Sequence, residues 1–179
     1  MQKKSPFTTD DYNSGDGMMT SIWGPALWLT IHTISFNYPI EPSEEQKKDY
    51  YKYFKNLQNV LPCRYCRENY AKNIQTHKLT KEVMKNRESL SRWVYELHEM
   101  VNKNLGKESG LSYEDVRDRF EHFRSRCLVD PTKKVKPNTK EKGCTEPLYG
   151  VKYKCVINII PKDKDAPSFK IDQKCIIKK

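Results

Sequence analysis

Apolar side chains recur along this chain at spacings of three and four, the period of a helix that buries one face. The first run predicts a helix from Thr20 to Asn37, with Trp23, Leu27, Ile31 and Ile34 on one stripe. It ends near Tyr38-Pro39, and Pro42 keeps the following residues extended. Ser43, followed by Glu44 and Glu45, starts a second helix, because acidic residues suit a first turn. Its apolar face is Tyr50, Tyr53, Phe54, Leu57, Val60 and Leu61. Pro62 stops it, and a third helix opens at Cys63 and runs to about Gln75. Thr80 caps a short helical turn through Lys85. A long helix then runs from about Ser89 to Leu105, carrying Leu90, Trp93, Val94, Leu97, Val101 and Leu105, with Gly106 placed to terminate it. Ser112 and Asp115 mark the start of a fifth helix, Tyr113 to Arg126, which presents Val116, Phe120 and Phe123.

The segments outside these helices differ in composition. Residues 1–19 are rich in Ser, Thr, Asp and Gly and predict a disordered leader. The helical domain spans 20–127, and 128–143 is a linker whose stretch from Pro131 holds mainly Lys, Pro, Asn and Thr. Residues 144–179 form a basic, cysteine-containing tail, with β-branched, strand-like stretches at Val151–Pro161 and Phe169–Ile177. The expected fold is mainly α, five helices with a short β-rich C-terminal extension. No internal repeat is present.

Hydrophobic residues make up 36% of the 179 and charged residues 31%, a modest core that eleven tyrosines and six phenylalanines enlarge. Of the net charge of +10, seven charges fall in residues 130–179. A basic tail of this kind either contacts nucleic acid or an acidic surface, or simply solubilises the protein. No apolar run approaches the roughly 20 residues that span a bilayer, and the polar N-terminus lacks a secretory pattern. The expectation is a soluble protein without a membrane contact. Six cysteines are unusual in such a chain, since disulfides are rare in reducing compartments unless they are catalytic. The imbalance favours cysteines that do redox chemistry or bind metal.

Cys63-Arg64-Tyr65-Cys66 is the sharpest local motif. A two-residue gap suits an easily exchanged disulfide, and a helix N-terminus beside Arg64 and Arg67 favours a thiolate. Structural zinc is the rival reading, but it needs a second pair or two further spaced ligands. Cys127, Cys144, Cys155 and Cys175 form no second such pair, and His77 completes only a three-ligand set. Gly24, Trp28 and His32 stand four residues apart and share a helix face, as do His98 and Asn102. Taken singly, either histidine reads better as a satisfied side chain between helices.

Three segments in order resemble the Erv/ALR family of FAD-linked sulfhydryl oxidases. They are Trp23-Gly24-Pro25-Ala26-Leu27-Trp28 with His32 and Tyr38-Pro39, then Pro62-Cys63-Arg64-Tyr65-Cys66, then Trp93 with Leu97 through Lys107. The likeness covers residues 20–127 and is greatest to members from large DNA viruses. It implies a four-helix bundle plus one helix that holds FAD, in a homodimer. It implies that Cys66 lies next to the flavin and that Cys63 exchanges with protein thiol substrates or a thioredoxin-like relay. Molecular oxygen is the implied acceptor. Gly24, Trp28 and His32 would contact the cofactor from the first helix, and His98, Val101, Asn102, Leu105 and Lys107 from the fourth. Phe123 and Arg124 would meet its adenine end. No metal is implied, and the viral likeness points to the host cytoplasm or the virion. Glu99, Pro25 and Leu61 stand where relatives commonly have Asn, Arg and Tyr.

The remaining cysteines admit two readings. Cys144 with Cys155, across the Pro147–Gly150 turn, and Cys127 with Cys175 would be structural staples; alternatively, the tail carries a shuttle disulfide. Two other functions compete with the oxidase. One is a zinc-stabilised basic nucleic-acid-binding module, the other a virion structural protein that retains the fold without turnover.

Overall fold

A computed structural model of the chain describes residues 6–125 and the backbone of two short strands further on. The chain divides into two units, Met1–Ser109 and Gly110–Lys179. The first contains helices α1 (Thr9–Asn13), α2 (Thr20–Phe36), α3 (Glu44–Val60), α4 (Arg64–Thr76) and α5 (Arg87–Asn104). The second contains α6 (Tyr113–Glu121) and the strands β1 (Val156–Ile157) and β2 (Phe169–Lys170). The strands pair antiparallel, Val156 opposite Lys170 and Ile157 opposite Phe169. The linker, the rest of the tail and Cys127, Cys144, Cys155 and Cys175 lie outside the described residues. Among the described residues no helix is long and apolar enough to cross a membrane.

Side chains at the helix ends explain where most of the helices begin. Ser43 accepts from the Gln46 amide and Ser112 from the Asp115 amide, each in a reciprocal capping box. Asn86 caps α5 through the Ser89 amide, which starts that helix two residues before the apolar pattern does. At its other end Gly106 adopts φ +65°, where a side chain is strained. The Gly106 N–H donates to Lys103 O and the Lys107 N–H to Asn102 O, closing a Schellman motif.

Helix α2 packs on α5, and α3 on α4. Between them lies one core of Ile31, Tyr38, Phe54, Leu57, Leu61, Tyr70, Met84, Leu90, Trp93, Val94 and Leu97. Its two tyrosine hydroxyls are satisfied: Tyr38 Oη donates to Met84 O at 2.9 Å and Tyr70 Oη to Phe54 O at 2.8 Å. Buried phenols left without partners would cost the desolvation of a polar group.

The structure departs from the pattern in four places. Residues 8–13 of the expected disordered leader form a capped helical turn, because the Thr8 hydroxyl and the Asp11 carboxylate satisfy its first amides. The buried stripe of α3 is narrower than expected, since Phe54, Leu57 and Leu61 use it up. Tyr53 and Val60 point off it and are 37% and 67% exposed. The expected helical turn at Thr80–Lys85 is made of tight i to i−3 bonds, Met84 N–H to Lys81 O and Lys85 N–H to Glu82 O, rather than α-helical ones. Helix α6 ends five residues early, where Phe123 and Arg124 donate to Phe120 and Glu121 in tight i to i−3 bonds.

The contrast on α3 is measurable. Leu57→Ala should destabilise the protein by about 2–5 kcal/mol, and Val60→Ala by about 0.5 kcal/mol or less. Chemical denaturation midpoints of the two variants check the assignment of the buried face.

Candidate redox site

Helix α4 begins on sulfur. Cys63 is its N-cap, in an extended conformation at φ −146° and ψ 127°, and its Sγ accepts from the Cys66 amide at 3.4 Å. One helical turn on, Cys66 packs against the core cluster. Both are thiols. The two sulfurs are thereby placed in opposite electrostatic settings. Hydrogen bonds from the Cys66 side chain and amide, aided by the Arg67 guanidinium, hold the Cys63 thiol below its ordinary value. Burial first, then the hydrogen bond and charge of Cys63, push Cys66 up to about 11. Cys63 is therefore the more readily ionised sulfur of the pair and Cys66 the less. Arg67 also donates to Leu61 O at 2.6 Å, bracing the loop that leads into the cap.

The second part of the site lies where α2 meets α5. His32 Nε2 and His98 Nδ1 stand 3.0 Å apart, sharing one proton between the helices. Trp28 stacks on His98 with ring centroids 3.8 Å apart and planes within 6°. His32 is buried, and burial with the neighbouring His98 drives it down to about 3. Burial also lowers His98, against a smaller raising effect of Glu99. Both rings are neutral at pH 7, which keeps this seam uncharged.

The other expected site residues are distributed around these two features. Gly24 lies one turn before Trp28 on α2, and a Cβ there would meet no atom within 4 Å outside its own helix backbone. Val101 and Asn102 are half-buried on α5, and Asn102 Nδ2 donates to Glu99 Oε1 at 3.0 Å. Leu105 is 63% exposed at the end of that helix, off its buried face. Lys107 lines an open recess of about 710 Å³ with Glu99, Lys103, Gly106 and Glu108. Phe123 is exposed, and Arg124 pairs with Glu121; both belong to the second unit. Of the expected set, Trp28, His32 and His98 are in direct ring contact.

His77 is engaged elsewhere. Its ring stacks on Trp93, its Nε2 lies 3.0 Å from Trp93 O, and its carbonyl accepts the Trp93 indole N–H at 3.2 Å. Among the described residues, no three His, Cys, Asp or Glu side chains gather as a ligand set. Two contacts left no sequence signal: the Met18 amide donates to Pro62 O, and the Trp23 indole N–H donates to Met18 O. Backbone partners are invisible to periodicity, and Trp23 reads there only as a stripe residue.

A helical bundle with a reactive thiol pair at a helix start and a neutral histidine pair under a tryptophan defines a dithiol redox protein. The chain belongs to the Erv1 / Alr family, whose model matches residues 25–121. It is 39% identical over 99 residues to a probable FAD-linked sulfhydryl oxidase of Acanthamoeba polyphaga mimivirus, covering 55% of this chain and 68% of that one. It is 31% identical over 84 residues to the mitochondrial FAD-linked sulfhydryl oxidase ERV1 of Saccharomyces cerevisiae, covering 47% of this chain and 43% of that one. Among solved structures it resembles the FAD binding domain of Erv1 from Saccharomyces cerevisiae, with a TM-score of 0.53 and 26% identity. That likeness covers 57% of this chain and 94% of the domain.

The neutral histidine pair generates a prediction. An unfolded histidine takes a proton near its ordinary value of 6.5, whereas folded His32 resists until about 3. Stability is therefore complete above the ordinary value and is lost as pH falls toward the folded one. The loss is about 1.4 kcal/mol per pH unit for each proton excluded. Urea denaturation should show this slope between roughly pH 6 and 5.3, where ordinary carboxylates stay mostly ionised. A His32→Gln variant with the same slope as wild type removes the buried neutral pair.

Proposed function

We propose that this chain is an FAD-dependent thiol oxidase, forming disulfide bonds in protein substrates through Cys63 and Cys66 and yielding hydrogen peroxide from oxygen. The observation that carries the reading is the asymmetric thiol pair at the start of α4, in a chain of the Erv1 / Alr family.

The residues present fit FAD. Glycine inside a helix costs about 0.5–1 kcal/mol relative to alanine, yet the open space at Gly24 means that intrachain packing does not require it. A cofactor bound against this stretch would account for the glycine. The parallel Trp28 and His98 rings supply a flat aromatic wall, and the Asn102 amide supplies a donor. Lys107, with Lys103 beside it, supplies positive charge for a pyrophosphate. In this reading Gly24, Trp28, His32, His98, Val101, Asn102, Leu105 and Lys107 hold the flavin and its linker. Phe123 and Arg124, which the family resemblance assigns to the adenine end, belong to the second unit. Bound FAD accepts two electrons from a dithiol and passes them to oxygen.

The chain's own sulfurs do the exchange. A substrate thiolate attacks Sγ of Cys63 in the Cys63–Cys66 disulfide; that S–S bond breaks and Cys66 leaves as a thiolate. A second substrate thiolate attacks the substrate sulfur of the mixed disulfide, forming the substrate disulfide and freeing Cys63. While Cys63 is tied to substrate its negative charge is gone. Of the influences on Cys66 only burial then opposes ionisation, and Arg67 still favours it. The inner sulfur thus becomes a better anion at the step that needs one.

Two wider readings belong to this proposal. A homodimer is supported by α2, where Ile22 and Leu29 leave apolar surface exposed two turns apart. The tail is read as a short β unit, with the β1–β2 pair in its support. The zinc module and the inactive virion protein have no supporting observation among the described residues.

Purified protein should be yellow and should consume oxygen with dithiothreitol as the reductant. Cys63→Ala and Cys66→Ala should each lower that rate at least a hundredfold while leaving the flavin absorbance in place. A colourless protein containing zinc, or a Cys66→Ala rate equal to wild type, overturns the assignment. Sedimentation equilibrium should give twice the chain mass, and a flavin-bound monomer removes the dimer.

A further inference from the structure

The leader crosses the start of α4 at very close range. The Met18 amide donates to Pro62 O at 2.7 Å. A Cβ at Gly17 would stand 2.7 Å from that same carbonyl oxygen and 3.1 Å from the Cys63 Cα. Both neighbours are backbone, so they cannot swing aside as a flexible side chain would. Only glycine permits this approach. The strap is latched from its other side, since the Trp23 indole N–H donates to Met18 O at 3.0 Å. Met18 therefore uses both of its backbone polar groups to join α2 to the loop before Cys63. Across that loop, Arg67 takes the preceding carbonyl, Leu61 O, at 2.6 Å. The two peptide carbonyls that lead into Cys63 are thus each held by a hydrogen bond, one from Met18 and one from Arg67.

Such restraint matters to a sulfur that caps a helix. The Cys63 thiolate is favoured while Sγ receives the Cys66 amide at the N-terminus of α4, and that geometry depends on the backbone angles of Cys63 itself. A loop released at Pro62 is free to rotate the side chain away from the amide.

We propose that Gly17 and Met18 are positioning residues for thiol exchange: their strap clamps the Pro62–Cys63 peptide and holds the Cys63 sulfur in its helix-capping position. The role rests on the oxidase reading of Cys63 and adds to it a part for the segment before α2. The part assigned to them is exerted through the loop, not on substrate or cofactor directly.

The test uses the full-length flavin-loaded protein with Gly17→Val, which crowds the contact, and Met18→Pro, which removes the amide donor. Met18→Leu is the conservative control. Alkylation of Cys63 by iodoacetamide is followed against pH by peptide mass spectrometry, in parallel chains that also carry Cys66→Ala. Oxygen consumption with dithiothreitol is resolved into kcat and KM. Both disruptive variants should move the alkylation midpoint upward by about one pH unit, roughly tenfold less thiolate at a fixed pH below it. They should lower kcat/KM by a similar factor, with flavin content and melting temperature near wild type, and Met18→Leu should match wild type. Wild-type alkylation profiles in both variants overturn the proposal. So does a fall in rate that accompanies lost flavin or a lowered melting temperature while the profile stays put, because that marks a merely structural contact. If Met18→Pro does not fold, Gly17→Ala carries the same measurements. A wild-type chain that binds no flavin and turns over no thiol defeats the oxidase reading instead, and the alkylation profile still reports on the strap.

Discussion

A helix that starts on a cysteine sets the terms for this site. The first turn of any α-helix presents amides with no intrahelical acceptor, and an oxygen side chain normally meets them. At α4 the acceptor is Cys63 Sγ at 3.4 Å, a weaker partner than the Ser43, Asn86 and Ser112 oxygens that cap α3, α5 and α6. Sulfur meets the need well only as an anion, so the helix and the thiolate favour each other. The rest of α4 is held by other means. Tyr70 ties it to the Phe54 carbonyl of α3, and Arg67 ties its first turn to Leu61. A start stabilised less by its cap is compensated by packing and by contacts with the loop, which leaves the sulfur free to react.

The same contrast of settings separates two kinds of titratable group. Burial raises Cys66 and lowers His32 and His98, in each case by penalising charge. Cys63, at the helix end, moves the other way. The α2–α5 seam is uncharged at pH 7, and the negative charge of the reduced pair is directed to the outer sulfur. On the proposed reading, a cofactor held against α2 and α5 would meet a neutral histidine pair rather than a cation. Neutrality costs stability in acid, since an unfolded chain takes up the protons that the seam refuses.

How much of this was legible beforehand depends on what kind of contact is involved. Side-chain periodicity identified α2, α3 and α5 to within a few residues, because those helices bury a stripe against one core. Spacing by four placed Trp28 with His32, the residues also singled out His98, and the α2–α5 packing brings His98 into ring contact with both. Gly106 was legible as a stop because few other residues adopt φ +65°. The end of α6 was not, since its last residues pass from i to i−4 to i to i−3 bonding without a Pro or Gly to mark the change. Val60 and Tyr53 were misplaced because apolar character alone does not say which side of a stripe edge a residue falls on. Phe123 and Arg124 lie in the second unit, and the tail cysteines lie outside the described residues.

The leader is the instructive miss. Low hydrophobicity and Ser, Asp and Gly content argue for disorder when a segment must bury apolar surface to become ordered. Residues 17 and 18 become ordered differently, through a backbone hydrogen bond to Pro62 and an indole bond from Trp23. Neither needs an apolar side chain at 17 or 18, and the close approach needs Gly17 to have none. The consequence reaches the site. Trp23 immediately precedes Gly24 on the helix read as facing the cofactor, and its indole holds the same residue whose amide holds the peptide before Cys63. Two hydrogen bonds, 3.0 and 2.7 Å long, therefore connect α2 with the loop that leads into Cys63. The two ends are joined through the Trp23 indole, itself packed against the core, and the Met18 main chain.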